Sequence, residues 1–548
     1  MPSTPTTKSQ VQAYKFVMRR MQSALVRRDA VMLHDPMRTH SRATVVGVIL
    51  GVLGAVVFVL IALLSPAPSV PASGGIVIGE QSGTVYVVTG NPQKLIPTFN
   101  LASARLILLA QSQQQTQGAQ GGAQPAAANA APAAAVIPTV VSDEQLKNIP
   151  REKLTGIPDG PQLLPDTTQR ISPNWAVCDQ VELDTRLPLP DSVNRTDTTV
   201  IGGVANVGTE LDRGQALLGR ADDGKTYLIY RLAATQARPD ANTVRAEVDL
   251  GDNDPVRAAL QLPAKARKAS QAFLNAIPDV GKLVPPVVPG AGETPPQDFD
   301  GLTVGDVFST SPSGAPTDFW LITRDGIQKV SSAVADIVRV AKNGGGSKIT
   351  DLGLEKINNV RRLQPTDSGF VKVDNYPEQT PTVLDATQGS PVACLGWSFD
   401  VNKKTAHTSV YVSKGLPAET TNADGSSKVQ SISTTGPNGL PITGFYMPPG
   451  FGAVVQSATE SSATFFKGPI QLISDRGLRY GVPDQATAAA LGLTDALPAP
   501  ESIIGLLPTG SSLNTQNVMK QFDSVPIDPN AGSFQSPANQ QAGQPAGN

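Results

Sequence analysis

Residues 43–64 form an uncharged apolar run that lies directly after a basic N-terminal arm. At about 1.5 Å per residue, a helix of this length covers about 33 Å, which is enough to cross a bilayer core of roughly 30 Å. A cleaved signal peptide is the alternative, but its apolar core should be about 7–15 residues long and lie nearer the start of the chain. The run therefore predicts one transmembrane helix over 43–64.

The distribution of charge predicts the orientation of this helix. Residues 1–42 carry eight Lys and Arg side chains against two Asp, whereas the first charge after the run is Glu80. Because positively charged flanks stay on the cytoplasmic side, the arm is expected in the cytoplasm and the long remainder outside it.

The arm and the apolar run carry two features that suit protein contacts. Ser9 and Gln12 form a candidate capping box at the start of an amphipathic helix. Its helix-spaced apolar stripe fits either anionic lipid or a partner protein, and consists of Val11, Tyr14, Met18, Met21 and Leu25. Gly47, Gly51 and Ala55 form a small-x-x-x-small face that lets another helix approach closely, although such spacing is also common by chance.

Only two cysteines occur, in the mirrored settings Trp-Ala-Val-Cys178 and Cys394-Leu-Gly-Trp. Both lie beyond the apolar run and hence in an oxidising compartment, which predicts one long-range disulfide. Two buried free thiols are the alternative.

A unit of strand, tight turn, strand and short helix recurs four times beyond the run. Its turns contain Ser82-Gly83, Asp223-Gly224, Asp325-Gly326 and Arg476-Gly477. Glycine accepts the positive φ of such turns, so these pairs between apolar runs indicate hairpins. The sequence predicts a single transmembrane helix plus a large extracytoplasmic α+β region, in which a disulfide-linked, β-rich central domain is surrounded by four small strand-turn-strand-helix repeat modules.

The composition of the intervening segments sets the predicted boundaries. Gln/Ala/Gly/Pro-rich tracts indicate disorder. The predicted parts are a basic cytoplasmic arm (1–42), the transmembrane helix (43–64), a first repeat module (74–168) with a disordered insert (111–135), a central domain in two parts (169–213 and 364–466), a second module (214–288), a linker (289–300), a third module (301–363), a fourth module (467–515) and a mostly disordered tail (516–548).

One segment matches the phosphate-binding loop G-x-x-x-x-G-K-[ST], at Gly219, Gly224, Lys225 and Thr226. That motif works because backbone N–H groups surround the phosphates and a helix starts at the Lys-Ser/Thr pair. Here the following residues, 227–230, have a strand pattern, and Asp222 and Asp223 would repel phosphate. The segment is predicted to be a hairpin turn, with a nucleotide site as the alternative.

No other motif predicts chemistry. His407 is the only histidine beyond the apolar run, which leaves a Ser-His-Asp site without support, and no His or Cys spacing fits a metal. We expect no catalytic residues, no metal and no cofactor.

The chain resembles the EccB family, a membrane component of the mycobacterial type VII (ESX) secretion system. The resemblance is carried by the arm at 12–20, the approach to the span at 35–42, the segment 100–106, the Ile157-Pro158 pair, the Trp-flanked cysteines and the ending from 481–484 to 507–508. It implies a single-pass inner-membrane protein with a cytoplasmic N-terminus and a periplasmic bulk.

The resemblance also implies a function and partners. The implied role is a structural subunit that forms or braces the exit side of an export channel. The alternatives are an ATP hydrolase of the same system or a peptidoglycan-binding anchor. The implied partners are EccC, EccD, EccE, other EccB copies and a mycosin protease, with peptidoglycan as a further candidate and no nucleic acid.

Overall fold

The structure is a computed structural model that describes residues 7–27, 36–64, 69–118, 135–184, 191–233, 243–344, 346–459 and 461–523. The chain divides into two units, residues 1–69 and 70–548. The predicted tail beyond 523, most of the predicted disordered insert and Asp35 lie outside the described residues.

In its described residues, the first unit contains two helices. The α-helices of the whole described chain are α1 (Lys8–Arg27), α2 (Pro36–Leu64), α3 (Leu101–Gly118), α4 (Asp143–Leu146), α5 (Pro255–Leu260), α6 (Gln271–Ala276), α7 (Ser332–Asn343), α8 (Gln485–Leu491), α9 (Glu501–Ile504) and α10 (Thr515–Val518).

Helix α1 starts at Lys8, one residue before the predicted cap Ser9. Thr7, not Ser9, precedes its first turn, and the Thr7 N–H donates to Gln10 Oε1 at 3.0 Å. In a capping box, the side chain at the third helical position accepts a hydrogen bond from the backbone N–H of the cap residue, and Gln10 does this for Thr7. Thr7 and Gln10 have the same i, i+3 spacing as the predicted pair, Ser9 and Gln12.

Helix α2 also starts earlier than the predicted span. Its first residue is Pro36, which suits the first turn of a helix because proline has no N–H to leave unpaired. Within α2 the stretch Arg42–Ile61 is long and apolar enough to cross a membrane, by length and composition.

The described part of the second unit forms five sheets. The strands of the described chain are β1 (Gly75–Gly79), β2 (Val85–Thr89), β3 (Lys94–Thr98), β4 (Thr139–Val141), β5 (Leu154–Thr155), β6 (Asn174–Asp184), β7 (Asp191–Gly202), β8 (Thr209–Glu210), β9 (Gln215–Arg220), β10 (Thr226–Arg231), β11 (Thr243–Val248), β12 (Arg267–Lys268), β13 (Asp279–Lys282), β14 (Val307–Thr310), β15 (Asp318–Thr323), β16 (Gly326–Val330), β17 (Thr350–Asp351), β18 (Thr382–Val383), β19 (Val392–Asp400), β20 (Thr405–Ser413), β21 (Gln430–Ser431), β22 (Gly444–Tyr446), β23 (Gly452–Ala458), β24 (Ile470–Ser474), β25 (Arg479–Val482), β26 (Leu497–Pro500) and β27 (Gln521–Phe522).

We name the seven-stranded sheet β21-β22-β7-β6-β19-β20-β8 the central sheet. The first sheet has the order β27-β5-β3-β2-β1-β4, and the second has β12-β9-β10-β11-β13 with β18 also paired to β9. The third sheet has the order β16-β15-β14-β17, and the fourth has β25-β24-β23-β26.

The four outer sheets share one order of strand pairing. In each, three antiparallel strands are followed by a helix, and a later strand returns to pair parallel with the first of the three. The parallel pairs are β1 with β4, β9 with β12, β14 with β17, and β23 with β26. A strand parallel to its partner needs a crossover, which α3, α5, α7 and α8 supply.

The predicted turns do not occupy equivalent positions in these sheets. Ser82-Gly83 and Asp223-Gly224 join the first and second strands, whereas Asp325-Gly326 and Arg476-Gly477 join the second and third. The alignment predicted from the turns is therefore wrong in register. A glycine turn marks a hairpin but carries no information on which of two successive hairpins it closes.

Several predicted boundaries also differ from the structure. Strand β23 lies before the predicted boundary at 467 yet belongs to the fourth sheet. The expected linker at 289–300 packs against the third sheet, where the Phe299 ring stacks on the ring of Phe308 in β14 with centroids 5.3 Å apart. The expected insert begins inside α3, which runs to Gly118, and β27 of the expected tail pairs with β5.

The central sheet is buried on both faces. One face packs α6, α9 and residues of the second and fourth sheets around Trp175, Leu395 and Trp397. The other face holds a smaller cluster that contains both cysteines. Of the outer sheets, the second and the fourth pack directly on the central sheet. The first sheet shares a buried cluster with the fourth, and helix α7 of the third shares one with the second.

Candidate functional site

The segment that matches the phosphate loop is a β-hairpin. Gly219 lies in β9, Thr226 is the first residue of β10, and the two strands pair antiparallel on either side of the turn. Within the turn, Gly224 N–H donates to Ala221 O at 3.1 Å and Ala221 N–H donates to Lys225 O at 2.9 Å. The backbone N–H groups of Ala221, Gly224 and Lys225 in the matched loop are thus used by the hairpin itself.

Charged side chains of this turn form ion pairs with neighbouring strands. Lys225 Nζ lies 3.0 Å from Glu247 Oε2 on β11, and Asp222 Oδ1 lies 3.2 Å from Lys268 Nζ on β12. The hydrogen bond and charge of Glu247 raise the pKa of Lys225. Thr226 is buried in β10 and no helix follows it. The arrangement is strand-turn-strand, whereas a phosphate loop needs strand-loop-helix.

The disulfide joins neighbouring strands of the central sheet. Cys178 on β6 and Cys394 on β19 are direct cross-strand partners with Cα atoms 3.9 Å apart, and both are fully buried. The predicted pairing is confirmed. Because the two strands are 216 residues apart in sequence, the bridge closes a loop that contains the whole second and third sheets.

A buried ionic network lies beside the disulfide and was not expected from the sequence. Asp179 Oδ1 accepts from Thr198 Oγ1 at 2.8 Å and from Ser270 Oγ at 2.7 Å, and Asp179 Oδ2 accepts from Ser270 N–H at 2.6 Å. Arg267 donates to Pro391 O at 2.7 Å and to Ser390 O at 3.0 Å. These contacts fasten the second sheet and α6 to the central sheet.

Burial perturbs both charged members of this network. Burial raises the pKa of Asp179, against the hydrogen bonds that it accepts, and lowers the pKa of Arg267 to about 10. A buried ion needs an opposite charge and hydrogen-bond partners nearby, and Asp179 and Arg267 have both. No sequence signal marks the pair, because 88 residues separate its members along the chain.

The stripe of α1 is exposed along its length. Its five members range from Met18 at 39% exposed to Leu25 at 81% exposed. Phe16 is also exposed, at 58%, and lies off the stripe. The structure thus places these side chains on one helix without a covering surface in the described part of residues 1–69. In α2, Gly47, Gly51 and Ala55 are likewise exposed on one face.

Among the described residues, the hydrogen-bond partner of His407 is an acidic side chain. Its Nε2 lies 3.1 Å from Glu210 Oε1, which also pairs with Arg231 at 3.1 Å, and the imidazole is 44% exposed. Among the described residues, no group of three or more His, Cys, Asp and Glu side chains could hold a metal ion.

These features define a class: a β-rich protein with one buried disulfide and one N-terminal helix long and apolar enough to span a membrane. The chain belongs to the type VII secretion EccB family, because the family description "Type VII secretion system ESX-1, transport TM domain B" matches residues 3–527.

Curated relatives match over nearly their whole length. The chain is 27% identical to "ESX-3 secretion system ATPase EccB3" of Mycolicibacterium smegmatis, over 97% of this chain and 93% of that one. It is 27% identical to "ESX-1 secretion system ATPase EccB1" of the same species, over 96% and 97%. It is 24% identical to "ESX-1 secretion system ATPase EccB1" of Mycobacterium tuberculosis, over 96% of each chain.

Solved structures show the same fold. A chain of an intact ESX-5 inner membrane complex aligns with a TM-score of 0.64 and 24% identity, over 98% of this chain and 99% of that one. A chain of an EccB3 dimer from the ESX-3 core complex aligns with a TM-score of 0.59 and 24% identity, over 81% and 100%.

Proposed function

We propose that this chain is a structural subunit of a type VII secretion membrane complex. Helix α2 anchors it in the inner membrane, the arm stays in the cytoplasm, and residues 70–548 form or brace the periplasmic exit side of the export channel. The proposal rests on one observation: in this member of the EccB family, the segment Gly219–Thr226 has the backbone geometry of a hairpin. The relatives' names contain the word ATPase, but the segment of this chain that would support that activity is a closed hairpin with its lysine paired to Glu247.

The architecture supports a scaffold in two further ways. A single span offers too little membrane-embedded protein to line a pore alone. The four outer sheets with one pairing order are proposed to be quasi-equivalent modules, which present several similar surfaces to neighbouring subunits. Other copies of this chain, EccC, EccD, EccE and a mycosin protease are the proposed partners, in line with relatives solved as an inner membrane complex and as a dimer.

Substitution of Lys225 separates the scaffold from the ATP hydrolase. Full-length Lys225→Ala protein, expressed in a strain that lacks its own copy, should support wild-type export. The purified full-length chain should hydrolyse ATP no faster with Lys225 than without it. The physical reason is that Lys225 contributes only an exposed cross-strand ion pair, of a kind that affects stability little.

Lys329→Ala is the matched control. Lys329 lies in a hairpin of the third sheet, and its Nζ lies 2.7 Å from Asp318 Oδ1 on the neighbouring strand. The substitution therefore removes a similar exposed ion pair outside the phosphate-loop match. Loss of export in the Lys225 variant alone, with normal protein level and complex assembly, would establish nucleotide chemistry at this turn. Retention of the purified chain on insoluble peptidoglycan would instead favour a cell-wall anchor.

A further inference from the structure

The chain contains two Asn-Gly pairs, Asn343-Gly344 and Asn438-Gly439. Such a pair is chemically labile because the backbone nitrogen of the glycine can attack the side-chain amide carbon of the asparagine, and glycine has no side chain that obstructs the approach. The attack needs a glycine N–H that is easily released from its hydrogen bond and an amide carbon within reach of the nitrogen. The structure distinguishes the two pairs on both counts.

A helix holds the first pair. Asn343 is the last residue of α7, and the N–H of Gly344, the C-cap, donates to Val340 O at 2.9 Å. Release of this N–H therefore opens the last turn of a helix whose inner face is buried. The Asn343 side chain is also held, since its Nδ2 donates to Ser347 Oγ at 3.0 Å. We expect this pair to react slowly.

The second pair lies in an exposed turn. Residues 437–439 are all exposed, and Gly439 N–H donates to Gly436 O at 3.0 Å, which closes a single β-turn. Asn438 Oδ1 accepts from Leu440 N–H at 3.4 Å. A side-chain oxygen that bonds to the N–H two residues on places its amide carbon over the intervening peptide, whose nitrogen belongs here to Gly439. The two reacting atoms therefore start side by side.

The same hydrogen bond assists the reaction. As the nitrogen of Gly439 bonds to Asn438 Cγ, negative charge develops on Oδ1, which is the atom that the Leu440 N–H faces. A donor placed where charge develops stabilises the transition state. In Asn343 the bonded atom is instead the amide nitrogen, where negative charge does not develop at this step. The second pair is thus better prepared for the attack than the first.

We propose that Asn438 is a site of spontaneous deamidation. Gly439 N loses its proton and forms a bond to Asn438 Cγ, and the former amide nitrogen leaves as ammonia, which gives a five-membered succinimide. Water then opens the ring at one of its two carbonyl groups. One opening gives aspartate, and the other gives isoaspartate, whose main chain runs through the former side chain and is one methylene longer. The net reaction consumes one water and releases one ammonia.

The turn belongs to a closely fitted loop. Residues 432–443, which we name the edge loop, join β21 to β22 at the edge of the central sheet. Gly436 of this loop is buried, and a Cβ atom there would lie 2.6 Å from Leu506 O and 2.7 Å from Gly505 O, just beyond α9. Glycine allows the backbone this close approach. The edge loop thus contacts the segment that follows the fourth sheet.

Isoaspartate disturbs this fit. On the other side of Asn438, Leu440 packs against the buried cluster of the central sheet. Gly436 and Leu440 are therefore held at the two ends of the segment that the reaction lengthens. Because protein interiors are closely packed, the extra methylene displaces one of these contacts. Aspartate at the same exposed position adds a charge but keeps the length of the main chain, so it leaves both contacts in place.

The test follows both asparagines in the full-length chain in detergent. Mass spectrometry of its peptides after incubation at pH 7 and at pH 9 measures the conversion of each asparagine, and electron-transfer fragmentation identifies isoaspartate. Asn438 should react at least about fivefold faster than Asn343, because release of Gly344 breaks at least one further backbone hydrogen bond of α7. Both rates should rise with pH because the deprotonated nitrogen is the nucleophile.

Three controls isolate the effect of the fold. In urea, where both segments are unfolded, the two rates should become similar. Asn438→Gln should stay unmodified, since its ring would have six members and closes far more slowly. Asn343→Gln is the matched control and should leave the reaction at Asn438 unchanged.

Hydrogen exchange tests the consequence for the edge loop. The Ile432 N–H bonds to Thr443 O at 3.1 Å across the base of this loop. In aged wild-type protein that contains isoaspartate, this N–H should exchange faster than in fresh protein, because the displaced contact loosens the loop. Freshly prepared Asn438→Asp and Asn438→Gln should exchange as fresh wild type does, since neither substitution lengthens the main chain.

Two results would overturn the proposal. A folded chain in which Asn438 converts no faster than Asn343 would exclude a deamidation site that the fold selects. Equal exchange of the edge loop in fresh protein and in protein with isoaspartate, or fast exchange already in fresh Asn438→Asp, would exclude the lengthened main chain as the cause of any loosening.

Discussion

The disulfide allows a quantitative prediction. Replacing both Cys178 and Cys394 by alanine opens a loop of 216 residues. The chain-entropy expression gives an upper value of about 5 kcal/mol for the lost stabilisation at 25 °C, and native strain usually reduces it. We expect the double variant to lose about 3–5 kcal/mol of unfolding free energy.

This loss converts to a modest change in melting temperature because the unit is large. Over the roughly 420 described residues between 70 and 523, an unfolding entropy of about 2.1 cal/mol/K per residue sums to about 0.9 kcal/mol/K. The expected decrease in Tm is therefore about 3–6 °C. The native sheet should persist, since β6 and β19 remain paired over seven residue pairs.

Thermal unfolding of the full-length chain, followed by the β-sheet signal in circular dichroism, measures this decrease. Wild-type protein that has been unfolded and refolded in reductant is the matched control, because it lacks the cross-link but keeps both sulfur atoms. Its Tm should fall by nearly as much as that of the alanine variant. A decrease below about 1 °C in both samples would refute the loop-closure reasoning, and loss of the β-sheet signal at 20 °C would show that the sheet cannot form without the bridge.

Two further predictions concern the arm and alkaline stability. Tyr14→Ala combined with Met18→Ala should release the membrane-inserted protein from its complex in mild detergent, since truncating such anchors costs about 1–4 kcal/mol of binding free energy. Phe16→Ala is the control, because Phe16 lies off the stripe. Co-purification of the double variant at the wild-type level would show that the stripe is a lipid-facing surface. Burial raises the pKa of Tyr480 to about 12, so above pH 10 the unfolded chain releases this proton before the folded one and stability falls as pH rises. Tyr480→Phe should reduce that fall, measured as the change in urea midpoint between pH 9 and pH 11; an unchanged pH dependence would contradict the assignment.

Local signals explain which predictions were confirmed. The hairpin at Asp223-Gly224 follows from the positive φ of Gly224, a property of two or three residues. The disulfide follows from a count of two cysteines in one oxidising compartment. The apolar stretch of α2 needs only length and composition. Each of these inferences needs no knowledge of what the segment packs against.

Pairing between distant segments explains what could not be predicted. Strand β23 has the same alternating pattern as a central-sheet strand, and only its partner β24 assigns it to the fourth sheet. Likewise, the turn at Asp325-Gly326 indicates a hairpin without stating which pair of strands it joins. Strand patterns encode burial, whereas sheet membership depends on which partners satisfy the backbone hydrogen bonds.

The sequence by itself determined the apolar span, the exposed stripe of α1, the two bonded cysteines and the hairpin at Gly219–Thr226, because each depends on the chemistry of neighbouring residues. Only the tertiary structure decided that Asp179 and Arg267 lie buried together beside the disulfide, and that Gly436 of the edge loop lies against the carbonyl groups of Gly505 and Leu506. These sites join residues from separate sheets, and their energies depend on burial and distance, which the order of residues along the chain does not contain.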